Sequence, residues 1–242
     1  MHAIKTENLT KRYKDVVAVD NLSLSVEKGE LFSLLGVNGA GKTTTIKMLS
    51  CLTKADSGDA FLNGNSINGD TSKVKSVIAV SPQETAVAMG LSVRENLELI
   101  CGVHGFAKEK RQEKISELTA LLGLDSVINK KASKLSGGWQ RRLSIAMALI
   151  SEPEILFLDE PTLGLDVIAR SDLWDIIHSL KGKVTIILTT HYMEEAEALS
   201  DRIGIMKDGR LLICETAEKI KEIAKTDNFE QAFIRIVKGV AE

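Results

Sequence analysis

A chain of 242 residues with 44% hydrophobic and 26% charged residues has the make-up of an ordinary globular protein, which excludes disorder or a fibrous repeat over most of its length. At this size roughly 70% of the surface exposed by the unfolded chain is buried on folding, which suits one large domain or one domain with a subdomain. Thirty-one basic residues against 33 acidic ones leave a net charge of -2, so no global positive field recruits nucleic acid or anionic lipid.

The N-terminal stretch MHAIKTENLTKRYKD is charged and lacks an apolar core, so no secretion signal is expected. Leu22–Val26, Leu31–Leu35 and Gly58–Leu62 then read as short strands, with NG and GN pairs marking turns nearby. In the middle of the chain, KISELTALLGL and RLSIAMALI repeat apolar residues at three- and four-residue spacing, the period of helices. Ile155–Leu158 and Val184–Leu188 are continuous apolar runs, as strands covered on both faces require. Strands linked by helical crossovers predict an α/β fold with a mostly parallel sheet, an antiparallel β portion near the N-terminus and a helical insert. From Thr216 onward the pattern changes to two short amphipathic segments, AEKIKEIAK and FEQAFIRIVK, expected as a C-terminal helical extension over 216–242. Pro82, Pro153 and Pro161 flank apolar runs without interrupting them. Apolar runs all end well short of the about 18 residues that a membrane span needs, so none is expected. Cys51, Cys101 and Cys214 are widely spaced and odd in number, which fits buried reduced thiols better than a disulfide framework or a zinc site.

GVNGAGKT, from Gly36 to Thr43, fits the phosphate-binding pattern G-x-x-x-x-G-K-[ST], preceded by the apolar LFSLL and followed by TTIKMLSCL. Strand, glycine loop and helix are the context this pattern requires. Backbone N–H groups across Asn38, Gly39, Ala40, Gly41, Lys42, Thr43 and Thr44 would converge on a polyphosphate, Lys42 would add a point charge, and Thr43 could hold Mg²⁺. In ILFLDE, Asp159 and Glu160 would emerge from a buried strand at its carboxyl end, the first suited to a Mg²⁺ shell and the second to a general base. Alone, such a pair could simply end a strand before the turn at Pro161. LSGGW, from Leu135 to Trp139, is a second glycine-rich segment before a helix; Ser136 there could donate to phosphate or serve as an ordinary N-cap. Trp139 shares a helical face with Leu143, Ala146 and Met147, which favours packing over base stacking.

Tyr13, the phosphate loop, Gln83, LSGGW, ILFLDE, GLD and His191 occur in an order that resembles the ATP-binding cassette (ABC) ATPases, over nearly all of Met1 to about Glu215. Within that family, KRYKDVVAVDNLSLSV, LSVRENLELICGVHG, PTLGLDVIARSDLWDII and TTHYMEEAEALSDRIGIMKDGRL look most similar to ATPase subunits of exporters of drugs, sodium or polysaccharide. The resemblance implies an ATPase domain over 1–215 with a helical subdomain at about 84–150, ATP and Mg²⁺ as ligands, and a head-to-tail homodimer or a pseudo-dimer with a related ATPase. It also implies an integral membrane permease as partner and a place on the cytoplasmic face of the membrane. By position, Tyr13 would stack on adenine, Gln83 would touch Mg²⁺ or the attacking water, and His191 would contact the γ-phosphate. Glu160 would be the catalytic base, with Lys42, Gln83 and His191 beside it, and Thr43, Gln83 and Asp159 would serve the metal. Ser136, Gly137 and Gly138 would close on the partner subunit's ATP, and Asp166 would lie across the interface. Two positions depart from the pattern: Trp139 stands where Gln is usual, and Val167 where Pro often follows GLD. An importer subunit, a regulatory ABC protein that drives no transport, and a P-loop phosphotransferase are the competing readings.

Overall fold

The computed structural model describes residues 2–239; Met1 of the expected ATPase domain and the last three residues of the expected 216–242 extension lie outside them. In chain order the strands are β1 (His2–Tyr13), β2 (Val16–Leu22), β3 (Ser25–Glu27), β4 (Leu31–Leu35), β5 (Ser57–Leu62), β6 (Asn65–Ser66), β7 (Ile78–Ser81), β8 (Ile155–Asp159), β9 (Thr185–Thr190), β10 (Arg202–Lys207) and β11 (Arg210–Glu215). The helices are α1 (Lys42–Leu49), α2 (Thr71–Val77), α3 (Val93–Val103), α4 (Lys108–Leu121), α5 (Gly137–Leu149), α6 (Val167–Leu180), α7 (Met193–Leu199), α8 (Ala217–Ile223) and α9 (Phe229–Lys238).

A six-stranded sheet runs in the order β11-β10-β4-β9-β8-β7, parallel throughout except for the β10–β11 hairpin at one edge. β4, β8 and β9 are buried along their whole length, and they alternate between two cores. Leu156, Leu158, Ile186 and Leu188 face a core shared with α3 to α6, whereas Ile155, Phe157 and Ile187 face one shared with α1 and the antiparallel sheet. Burial on both faces is why these strands read as unbroken apolar runs. The mostly parallel sheet, the antiparallel N-terminal portion and the helical insert between β7 and β8 all match the expected fold class.

The antiparallel sheet corrects one expected strand. Leu22–Val26 is not continuous: β2 ends at Leu22 and β3 starts at Ser25, each pairing with a different part of the long β1. Thr6 of β1 fills the break, its hydroxyl donating to the Leu22 carbonyl at 3.0 Å and accepting from the Leu24 N–H at 2.9 Å. β1 itself passes unnoticed in the sequence because Asn8 is left-handed, with φ of 50°, and a register shift follows, so its inward positions break strict alternation. The thiols also differ from expectation: all three are free, but only Cys101 is buried, while Cys51 and Cys214 are half-buried.

α3 begins at a reciprocal cap in which Glu95 N–H donates to Ser92 Oγ at 3.2 Å and Ser92 N–H donates to Glu95 Oε2 at 2.7 Å. After β11, α8 and α9 fold back on the sheet. Ile220, Phe229, Ala232 and Phe233 form a third core with Leu35, Ala196, Ile203 and Ile205, and α9 lies against α7. Truncating Phe229, which is 3% exposed, to Ala should therefore lower the unfolding free energy by about 3 kcal/mol in a denaturant titration. An unchanged midpoint would mean that this layer adds nothing to the fold.

Candidate active site

Three neighbouring strands deliver the groups of one cleft. The loop after β4 turns on glycines that nothing larger can replace. A Cβ at Gly36 would sit 2.5 Å from the Met206 carbonyl oxygen, and one at Gly41, whose φ is +102°, would sit 2.4 Å from the Ala18 oxygen. Lys42 follows, 5% exposed, with its Nζ donating to the Gly36 carbonyl at 2.7 Å and lying 3.2 Å from Glu160 Oε1. Next to it, the Thr43 hydroxyl donates to Asp159 Oδ1 at 3.1 Å.

Asp159 and Glu160 leave the end of β8, both buried. Glu160 is left-handed, with φ of 47°, an unusual conformation for a residue with a Cβ. It is held there by Thr189 of β9, whose hydroxyl and carbonyl oxygens accept from the Glu160 N–H at 3.0 and 3.1 Å. The same Thr189 hydroxyl donates to Asp159 Oδ1 at 2.5 Å. His191, just past the end of β9, places its Nδ1 2.7 Å from Glu160 Oε2. An ionised carboxylate can only accept, so Nδ1 carries the proton in this contact. Glu160 thus has one oxygen on a lysine and the other on a histidine.

Glu160 and His191 line a cavity of about 530 Å³ together with Asn38 to Thr44, Gln83, Val16, Ala18 and Leu163. Of the residues expected to act on a nucleotide and its metal, the fold brings Asn38, Gly39, Ala40, Gly41, Lys42, Thr43, Thr44, Gln83, Glu160 and His191 to this one space, with Asp159 behind Thr43. Tyr13 is not in the lining. It stands 45% exposed, paired in register with Val16, whose side chain takes the place at the cavity wall. Oxygen groups on Thr43 and Asp159 are the donor type that a hard divalent cation takes, and the glycine cradle with a buried lysine suits a polyphosphate.

Ser136, Gly138 and Asp166 are elsewhere. They line a separate hollow of about 250 Å³ with Trp139, Arg142 and Asp172, and no residue lines both spaces. Ser136 and Gly137 are exposed at the start of α5, and the Ser136 hydroxyl makes no capping bond. Asp166 instead caps α6, its carboxylate accepting from the Ala169 N–H at 2.9 Å. Gly138 permits the two helices to approach, since a Cβ there would meet Ala169 Cβ at 3.0 Å. Trp139 is half-buried against the helical core with the Arg142 guanidinium 4.8 Å from its ring centre, in line with a packing role.

One side chain with no signal in the sequence organises the cleft. Arg141 of α5, buried, donates to the carbonyls of Pro82 at 2.6 Å and Gln83 at 2.7 Å and points at the Glu160 carbonyl. Burial pulls its guanidinium below the ordinary arginine range, opposed by the negative charges of Asp159 and Glu195. In a row of three polar residues, Gln140, Arg141 and Arg142, periodicity cannot tell which of them turns inward.

Set against known proteins, the chain matches the family model described as ABC transporter over residues 19–163. It is 38% identical over 240 residues to the probable multidrug ABC transporter ATP-binding protein YbhF of Escherichia coli (strain K12), a match covering 97% of this chain and 41% of that protein. It is 39% identical over 220 residues to the daunorubicin/doxorubicin resistance ATP-binding protein DrrA of Streptomyces peucetius, covering 90% of this chain and 67% of that one. This chain therefore spans about two-fifths of the length of the first relative. Among solved structures, a dimer of the ATP-binding cassette MJ0796 in a post-hydrolysis state with ADP and Pi is 28% identical, with a TM-score of 0.78 over 88% of this chain and 98% of that chain.

Replacing Arg141 with Leu should cost about 3 kcal/mol of stability, because the Pro82 and Gln83 carbonyls lose a charged donor. Urea unfolding measures this, and a change near zero would mean that water substitutes freely at the clamp.

Proposed function

The chain belongs to the ABC transporter family, and from that premise we propose that it is the ATP-hydrolysing, nucleotide-binding subunit of an exporter, working as a pair of copies on a separate membrane permease. The separation of the two lined spaces supports this reading. Ser136, Gly138 and Asp166 lie apart from the cleft of Lys42, Glu160 and His191, so one copy cannot turn both sets on the same nucleotide. Two copies set head to tail can. ATP held between them satisfies its charge with donors from both chains and so acts as a ligand for the closed dimer.

In this scheme the loop from Asn38 to Thr44 binds the phosphates through its N–H groups and through Lys42, which exchanges its contacts with Gly36 and Glu160 for phosphate oxygens. Thr43, Asp159 and Gln83 would hold Mg²⁺, which would supply charge neutralisation at the phosphoryl group. Glu160, released from Lys42, takes the proton of the attacking water as general base, while His191 holds that carboxylate in place and reaches toward the γ-phosphate. Tyr13, paired in register with Val16 of the cavity wall, would stack on adenine. Hydrolysis removes the bridging charge and lets the copies part.

The proposed organisation is an ATPase domain through about Glu215, with a helical subdomain at about 84–150, followed by a C-terminal helical extension. The permease would dock on the helical subdomain near Gln83, where Met89 and, on α3, Leu99 and Val103 stand exposed on a surface otherwise rich in polar residues. No helix among the described residues is long and apolar enough to cross a membrane, so in this scheme the movement passes to a separate membrane chain. The names of the relatives, multidrug and daunorubicin/doxorubicin resistance proteins, support the export direction.

Glu160→Gln should keep ATP binding, lower turnover by about 10² or more, and accumulate an ATP-bound dimer. Nucleotide binding, phosphate release and size-exclusion chromatography with light scattering read the three effects. A variant that stays monomeric in saturating ATP, or that turns over at the parent rate, would overturn the scheme.

A further inference from the structure

Behind the Glu160–His191 pair lies a third carboxyl group that neither lined space uses. Glu195, in the first turn of α7, has no exposed surface. Its Oε1 accepts a hydrogen bond from Trp174 Nε1 of α6 at 3.1 Å. Its Oε2 and the Thr162 hydroxyl are both sealed from solvent, and among the described residues neither has a hydrogen-bond partner of ordinary geometry. The two nevertheless belong to neighbours, since the hydroxyls of Thr162 and Thr190 both act on this carboxyl.

Those neighbours stand at informative places. Thr162 is two residues after Glu160 and four before Asp166, and Thr190 immediately precedes His191. The Thr190 hydroxyl also accepts from the Tyr192 N–H at 2.9 Å, which bends the chain just past His191. Glu195 therefore sits where the segment leaving β8, the segment leaving β9 and helix α6 converge. Burying a carboxyl there costs more than burying an apolar side chain of equal size, so its presence points to the hydrogen bonds that it accepts. Burial pushes the group above the ordinary carboxylate range, and the nearby charge of Glu160 acts in the same direction. The hydroxyls of Thr162 and Thr190 and the Trp174 N–H act the other way, as donors to the carboxyl do.

We propose that Glu195 is a positioning residue for ATP hydrolysis, latching the Thr162 segment to the strand end that carries His191, so that Glu160 and His191 keep one relative geometry as the segment between Glu160 and Asp166 meets the second copy. This rests on the reading of Glu160 and His191 as the hydrolytic pair. The latch works through hydrogen bonds, and it touches neither the nucleotide nor the water.

The test uses the full chain with three substitutions. Glu195→Gln keeps both polar ends, Glu195→Met keeps length and removes them, and Thr162→Val removes the opposing hydroxyl at constant shape. Glu195→Gln should keep kcat within about twofold of the parent, whereas Glu195→Met and Thr162→Val should each lower it about tenfold or more with KM for ATP nearly unchanged. Combining Glu195→Met with Thr162→Val should add little to the larger single effect, because both remove one shared interaction. Amide hydrogen exchange should rise in both 160–166 and 190–195 for Glu195→Met and for Thr162→Val, and in neither segment for Glu195→Gln. Parent-like kcat in Glu195→Met, a Glu195→Gln variant as impaired as Glu195→Met, or KM rising in step with the loss of kcat would each overturn the latch. A parent chain that hydrolyses no ATP would sink only the functional reading. The exchange data would still judge the latch, and a rise confined to α7 would reject it.

Discussion

The adjacency of β4, β9 and β8 in parallel register is the constraint from which the cleft follows. Leu35 pairs with Thr190 and Asp159 with Thr189, so the three chains leave the sheet side by side at one edge. Parallel neighbours lie about 4.8 Å apart, which puts side chains from adjacent strand ends within hydrogen-bond reach of one another. The phosphate loop, Glu160 and His191, far apart in sequence, meet for this reason. A register slip of one residue would send their side chains to opposite faces of the sheet and dissolve the cleft.

Within the cleft the balance is electrostatic. Lys42 shares its charge between a backbone carbonyl and Glu160, and both ends of that pair are nearly dry. Partly desolvated charges are tolerated when each has partners, and they respond strongly to an arriving anion because little water competes. Thr189 adds a fixed element. By serving both Asp159 and the Glu160 backbone, it sustains the left-handed turn that aims the two carboxylates apart, one toward Thr43 and the other toward Lys42 and His191.

Helix α5 connects the two lined spaces mechanically. Its first residues, next to Ser136, form the exposed surface, while Arg141 further along grips the backbone of Pro82 and Gln83. Arg141 thereby ties this helix to the segment bearing Gln83, through guanidinium bonds to carbonyls that are short and directional. At the opposite side of the cleft, α7 begins two residues after His191 and is backed by α9, so the C-terminal helices support the helix that follows the histidine.

Much of this was legible in residue order. The glycine loop, the DE pair at the end of an apolar run and the parallel strands announce themselves because each rests on local rules: glycine for left-handed turns, unbroken apolar runs for strands covered on both faces, and polar residues where a strand ends. Leu31–Leu35 is the strand expected, and the helix periods at α4, α5, α8 and α9 are all realised. Other features needed three-dimensional contact. The break between β2 and β3 depends on Thr6, far upstream, and the inward turn of Arg141 depends on carbonyls that only the folded chain presents. Glu195, written among other glutamates in a short polar stretch, is set apart from Glu194 and Glu197 by burial alone. Local patterns specify how a segment runs, but which of its polar groups loses water is settled by neighbours that sequence distance does not reveal.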